Sequence, residues 1–197
     1  MRVLTRIPRT LLLLVALLLF VPSGTAVASQ TYADTVGDAP AGAPDMTGAT
    51  VSHTFAGKIT FNVAFANRAT LAGDDLVMVM IDRDQNGSTG VGGIDYAVGV
   101  TGVLPNLGLL LNMGTGGTAG VVPVTWSNNA MSFTVDKSQI GIPTTGIDFV
   151  FASTGAMSAD DSPTEYVPHS GLLTYPLAVS ISQIQLTTSA TTVKAGK

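Results

Sequence analysis

Apolar residues recur at every second position through most of the chain after Met46. That period fits strands with one buried face and leaves no room for a sustained helix. Ala49, Val51, His53 and Phe55 share one parity against Thr50, Ser52 and Thr54. Ile59, Phe61, Val63 and Phe65 alternate with Thr60, Asn62 and Ala64, and the intervening Ala56-Gly57-Lys58 reads as the turn of a hairpin. Val122, Val124 and Trp126, then Met131, Phe133 and Val135, then Ile147, Phe149 and Phe151 repeat the pattern, with Asn128-Asn129 as a second turn signal. Leu76 to Ile81 is apolar on both parities, which predicts a central strand covered on both faces. Residues 29–45 and 153–171 read as polar loops, 114–120 as a Gly-rich connection, 137–142 as one helical turn, and 172–175 as a closing strand. The expected fold is all-β: a two-sheet antiparallel sandwich of about nine strands joined by short connections.

The ends of the chain differ from this middle. Arg2, Arg6 and Arg9 precede an unbroken apolar run of eleven residues, 11–21, and Ala26-Val27-Ala28 supplies small residues at alternate positions. The run is short for a bilayer span and matches a secretory signal peptide over residues 1–28, cleaved before Ser29. The sandwich is then expected over residues 29–176. Residues 177–197 open with alternating Leu177, Val179 and Ile181 and continue in Thr, Ser and Ala. They read either as a linker or as the start of a truncated second β-module.

Loss of residues 1–28 leaves six basic against thirteen acidic side chains, a net charge of −7. Such a surface disfavours nucleic acid and anionic lipid as partners, and no membrane association is expected after cleavage. Twelve of the thirteen acids are Asp, whose short arm suits turns and hard-cation loops rather than helix faces. The absence of Cys removes disulfides, thiol catalysis and thiolate metal sites.

One loop carries a specific chemistry. After Ile81 the chain reads Asp82-Arg83-Asp84-Gln85-Asn86-Gly87-Ser88-Thr89-Gly90, then Val91-Gly92-Gly93-Ile94-Asp95. Oxygen donors at alternate positions followed by Gly match the first half of a calcium loop of the EF-hand type, with Ser88 placed to offer a backbone carbonyl. The match ends at the twelfth position, where Gly93 stands in place of Glu, and the flanks are strands. The expected ligands are Asp82, Asp84, Asn86, Ser88 and Asp95, holding a structural calcium ion. The alternative is an Asp- and Gly-rich β-connection without an ion. Asp34, Asp38 and Asp45, and separately Asp160 and Asp161, form further acidic groups that read either as solvated loops or as contributors to an ion bound elsewhere.

Catalytic signatures are missing from the sequence. His53 falls on the apolar parity of a strand and His169 is adjacent to Ser170, an arrangement that supplies no triad geometry. No nucleophile elbow, zinc-binding His pair or phosphate loop occurs. Glu165 with Asp160 or Asp161 is the one carboxylate grouping that could be read as a glycoside hydrolase, and nothing around it indicates a sugar cleft. A non-catalytic module is therefore expected. Trp126, Tyr166 and Tyr175 are the candidate ligand-binding aromatics, since exposed rings serve as stacking platforms for sugars. Trp126 shares parity with Val122 and Val124, which favours packing instead.

These residues together resemble a group of secreted bacterial β-sandwiches. The similarity runs from Asp34-Thr35-Val36-Gly37-Asp38 through Pro44-Asp45, then Ile81 to Asn86 with Thr89-Gly90, then Gly93-Ile94-Asp95-Tyr96, and last Leu172 to Tyr175. Over about residues 30–176 the chain resembles the DOMON-like and family 9 carbohydrate-binding-module superfamily. The resemblance implies a jelly-roll-like sandwich, often calcium-stabilised, that binds carbohydrate or a cell-surface polymer, binds haem, or serves as an extracellular scaffold. The paired stacking tryptophans of family 9 modules are not present, because Trp126 stands alone. For a haem-binding electron-transfer domain the resemblance implies Met and His axial ligands, and Met46, Met78, Met80, Met113, Met131 and Met157 are available. The tail resembles the opening of an Ig-like module.

Overall fold

In the computed structural model, residues 26–141, 145–155, 164–167 and 171–177 are described. The strongest alternation in the sequence makes the centre of the fold. Strands β2 (Met46–Thr54) and β3 (Lys58–Phe65) pair in register, Val51 opposite Phe61 and Ala49 opposite Val63. Ile59, Phe61, Val63 and Phe65 are buried while Lys58 and Asn62 face out. On its other edge β3 takes β8 (Ala130–Asp136), which sets Phe61 opposite Phe133. β8 returns from β7 (Gly117–Ser127) through Asn128 and Asn129, whose φ angles of 51° and 58° make the two-residue turn that matches strand twist.

β7 then decides the architecture. Its last four residues, Val124–Ser127, pair with β8, and its earlier part, Gly117–Pro123, pairs with β6 (Leu107–Asn112). Pro123 stands where the partner changes, a position suited to a residue with no N–H to give to a ladder. Beyond β6 follow β5 (Tyr96–Thr101), β4 (Leu76–Asp82) and β9 (Gly146–Thr154), with β10 (Thr164–Val167) and β11 (Leu173–Pro176) both on β9. β1 (Ala26–Ala33) ends the path beside β2. Every pairing among the described residues is antiparallel. Among the described residues ten strands thus form one hydrogen-bonded path that curls nearly into a barrel, where the sequence suggests two distinct sheets.

The core lies inside the curl. Phe61 stacks on Phe133 at 5.3 Å between ring centroids and meets Phe149 and Phe151 of β9 edge-on at 5.8 and 6.4 Å. The two ends of the path approach through side chains: Tyr32 of β1 packs edge-on against Phe149 and donates its hydroxyl to the Thr174 carbonyl at 2.7 Å. A one-turn helix, α1 (Lys137–Ile140), starts at Asp136, which caps Ser138 N–H while Gln139 reaches back to the Asp136 amide.

Three sequence expectations change. Ala26–Ala33 is an edge strand rather than loop, held by its backbone pairing to β2 despite its small and polar residues. The second half of the Gly-rich segment belongs to β7, and Thr164–Val167 lies on β9. β4 is central, between β5 and β9, but of its apolar residues only Val77, Val79 and Ile81 are buried, whereas Leu76, Met78 and Met80 are half-buried. Residues 1–25 of the expected signal peptide (1–28), Asp160, Asp161, Met157, His169 and residues 178–197 lie outside the described residues.

His53 and Tyr175 show how polar groups are accommodated in this core. His53 is 4% exposed, and its Nδ1 lies 2.8 Å from the Tyr175 hydroxyl. Burial, and secondarily the charge of Lys137, hold the His53 pKa below its ordinary value of 6.5. The folded state therefore binds the proton less readily than the unfolded chain. The stability this contributes is complete above about pH 6.5 and declines as pH falls toward the lowered folded value. Tyr175→Phe removes the hydroxyl partner of a buried ring nitrogen and costs about 1–3 kcal/mol at pH 8. Denaturant titrations of both proteins between pH 5 and pH 8 measure the cost and the slope, and a wild-type stability that is flat across that range contradicts the account of His53.

Candidate metal centre

The end of β4 and the start of β5 fix two carboxylates before the loop itself is considered. Asp82 closes β4 and pairs with Asp148 of β9. Asp95 immediately precedes β5, donates its amide to the Ile81 carbonyl and accepts the Met113 amide at its own carbonyl. Both side chains are buried, Asp82 at 3% exposure and Asp95 at 6%. Asp84 in the loop joins them, and one carboxylate oxygen from each of the three lies within 4.8 Å of the others.

The loop spends one oxygen of each acid on its own backbone. Asp82 Oδ1 accepts the Asp84 and Asn86 amides at 3.2 Å. Asp84 Oδ1 accepts the Asn86 amide and the Thr89 hydroxyl. Asp95 Oδ2 accepts the Arg83 amide at 3.0 Å. Asn86 Oδ1 accepts the Ser88 amide. The second oxygen of each of the three carboxylates makes no hydrogen bond among the described residues. Burial, reinforced by the charge of Asp84, pushes the Asp82 pKa up, against the pull of the backbone amides. Asp148, directly across the ladder from Asp82, is a fourth acid at the base of the loop and accepts Gln85 Nε2 at 2.9 Å. Like charges this close raise the energy of the folded chain unless a cation lies among them. A set of hard oxygen donors with spare lone pairs suits calcium rather than a soft metal.

The structure brings together Asp82 and Asp84, which the spacing groups, and Asp95, expected to complete the set. Asn86 and Ser88 occupy the exposed rim of the loop. Gly90 closes it: its φ is +61°, and a Cβ there would run into the Ile94 carbonyl. Asp34, Asp38 and Asp45 do not join this group. Asp45 instead accepts the Gly37 amide at 2.8 Å and so ties its own loop.

The candidate aromatics fare differently. Tyr175 is 1% exposed and its hydroxyl is engaged by His53 and by the Ala28 carbonyl, so it presents no ring face to a sugar. It is buried because β11 lies on β9 with Tyr175 opposite Ile147. Trp126 is half-buried, stacked on Phe65 at 5.7 Å, with Nε1 donating to the Pro105 carbonyl at 2.7 Å. It packs the end of the core. The side chains of Tyr166 and Glu165 lie outside the described residues.

The sequence reading also missed a cleft of about 330 Å³ beside the acidic cluster, lined by Arg83, Thr89, Asp95, Tyr96 and Asn112 among others. Its one local signal is Thr89 and Tyr96 near the loop. Asn112 arrives only because β6 pairs with β5, Tyr96 opposite Asn112.

No protein-family model, curated protein or solved structure matches the chain.

Proposed function

We propose that the protein acts outside the cell as a non-catalytic β-module stabilised by one calcium ion. Asp82, Asp84 and Asp95 would hold the ion, with Asn86 and the Ser88 carbonyl as neighbouring oxygen donors. The reading is carried by one observation: three carboxylates lie within 4.8 Å of one another, each with an oxygen left over by the loop. The bound ion would neutralise charge and order a Gly-rich segment whose fixing is otherwise entropically costly.

In this reading the fold is a jelly-roll-like sandwich, with β7 as the strand that passes between two facing halves. Contact of Phe61 with Phe149 and Phe151 supports the packing of one half on the other. Export rests on the Arg-rich start, the apolar run and Ala26-Val27-Ala28. Cleavage after Ala28 would keep Ser29 to Ala33, five of the six residues, Ala28 to Ala33, that pair in continuous register with β2. The work of the module is carbohydrate or cell-surface polymer binding, and the polar cleft beside the ion loop supports that over a pure scaffold.

Calorimetric titration of calcium into chelator-treated protein tests the ion. One site is expected in the wild type and none in Asp82→Asn, which keeps the Oδ1 acceptor and removes the charge. A flat titration of the wild type refutes the reading. A polysaccharide array run in calcium tests the binding role, and silence across it leaves the scaffold.

A further inference from the structure

The cleft beside the ion loop has its own chemistry. Arg83 forms one wall. Its Nη1 donates to the Ile140 carbonyl at 3.2 Å, its Nε lies 3.7 Å from Asp95 Oδ2, and its guanidinium carbon sits 5.8 Å from the centroid of the Tyr96 ring. Three contacts hold the head group, and Nη2 makes no hydrogen bond among the described residues. An anchored guanidinium with a spare edge is a receptor for a planar carboxylate, because its N–H groups match the two oxygens. Tyr96 is 8% exposed and its hydroxyl accepts only a long 3.4 Å bond from Asn112 Nδ2, so the hydroxyl proton remains available. Thr89 and Asn112 add polar groups suited to hydroxyls. The volume lies at the small end of ligand sites.

We propose that this cleft binds a sugar bearing a carboxylate, the uronic-acid unit of an acidic polysaccharide, with Arg83 and Tyr96 as its recognition residues. The inference rests on the calcium reading. Without an ion, Asp82, Asp84 and Asp95 place negative charge beside the cleft and repel such a ligand. A bound calcium ion cuts the charge of the three acids from −3 to −1, which Arg83 offsets, so the repulsion is relieved. Recognition of the acid is therefore calcium-dependent, and a neutral sugar lacks the contact that Arg83 offers.

The test titrates trigalacturonate, trigalactose and tri-aspartate by calorimetry into the calcium-loaded full chain, with blanks of each into calcium buffer. Trigalacturonate is expected to bind and the other two to bind at least about tenfold more weakly, the loss that follows from one charge-assisted pair. Arg83→Gln should weaken trigalacturonate about tenfold or more. Tyr96→Phe, which keeps the ring beneath Arg83, should weaken it severalfold while its calcium affinity and melting curve stay those of the wild type. Equal binding of trigalactose overturns the carboxylate assignment, and equal binding of tri-aspartate overturns the sugar. Calcium uptake without trigalacturonate binding overturns the cleft proposal and leaves the ion standing. Absence of calcium uptake overturns both.

Discussion

Phe61→Ala is expected to lower the stability of the domain by about 3–5 kcal/mol, which for a chain of this size lowers the melting temperature by roughly 10 °C. Phe61 is fully buried and touches three other rings, Phe133 from its own side and Phe149 and Phe151 from the facing one. Its removal both forfeits transfer energy and opens a cavity at the place where the curled sheet meets itself, where backbone collapse is restrained by ladders on either side. Phe55, 74% exposed at the β2 end, is the control: Phe55→Ala should stay within about 0.5 kcal/mol. Guanidinium titrations of the two variants give the comparison. Equal effects would mean that the faces do not pack through Phe61.

Gly90→Ala is expected to cost about 2–4 kcal/mol and to weaken calcium binding. Two penalties combine. The backbone is left-handed at φ +61°, a conformation that strains a residue with a Cβ. The added methyl would also meet the Ile94 carbonyl, which is held by the Val91 amide. Backbone on the far side of that contact cannot give without moving Asp95, one of the three acids. Gly92 separates the two penalties. Its φ is +62° but the space around it is open, so Gly92→Ala should cost only the strain, about 1–2 kcal/mol. Melting curves and calcium titrations of both variants measure the difference, and indistinguishable variants would remove the steric argument.

What could be read from the sequence was local. The alternation of Ile59, Phe61, Val63 and Phe65 predicts their burial. Asn128-Asn129 predicts a turn, and Asp82 and Asp84 are predicted as neighbours because alternate residues in a tight loop point the same way, with Asp95 expected to complete the set. What could not be read was the pairing of distant segments. Nothing in the Thr, Ala and Gln of β1 marks a strand, because an edge held by backbone bonds needs only one ring, Tyr32, against the core. Tyr175 lies near a polar stretch, yet β11 carries it to the interior beside His53. Asn112 and Arg83 belong to one cleft only through the β5–β6 ladder and the reach of Arg83 to Ile140. The hand-over of β7 from β8 to β6 at Pro123 is likewise a property of the whole sheet, although Pro in a strand is a local sign of a broken ladder.

The central claim is that the acidic loop stabilises the fold by holding calcium. Thermal melts of the wild type and Asp82→Asn, each in calcium and in chelator, test it most directly. At free calcium about a hundred times the dissociation constant, binding adds about 2.7 kcal/mol, so the wild-type melt in calcium should lie roughly 5–10 °C above that in chelator. Asp82→Asn should melt at one temperature in both. Coincident wild-type melts at saturating calcium would contradict the account.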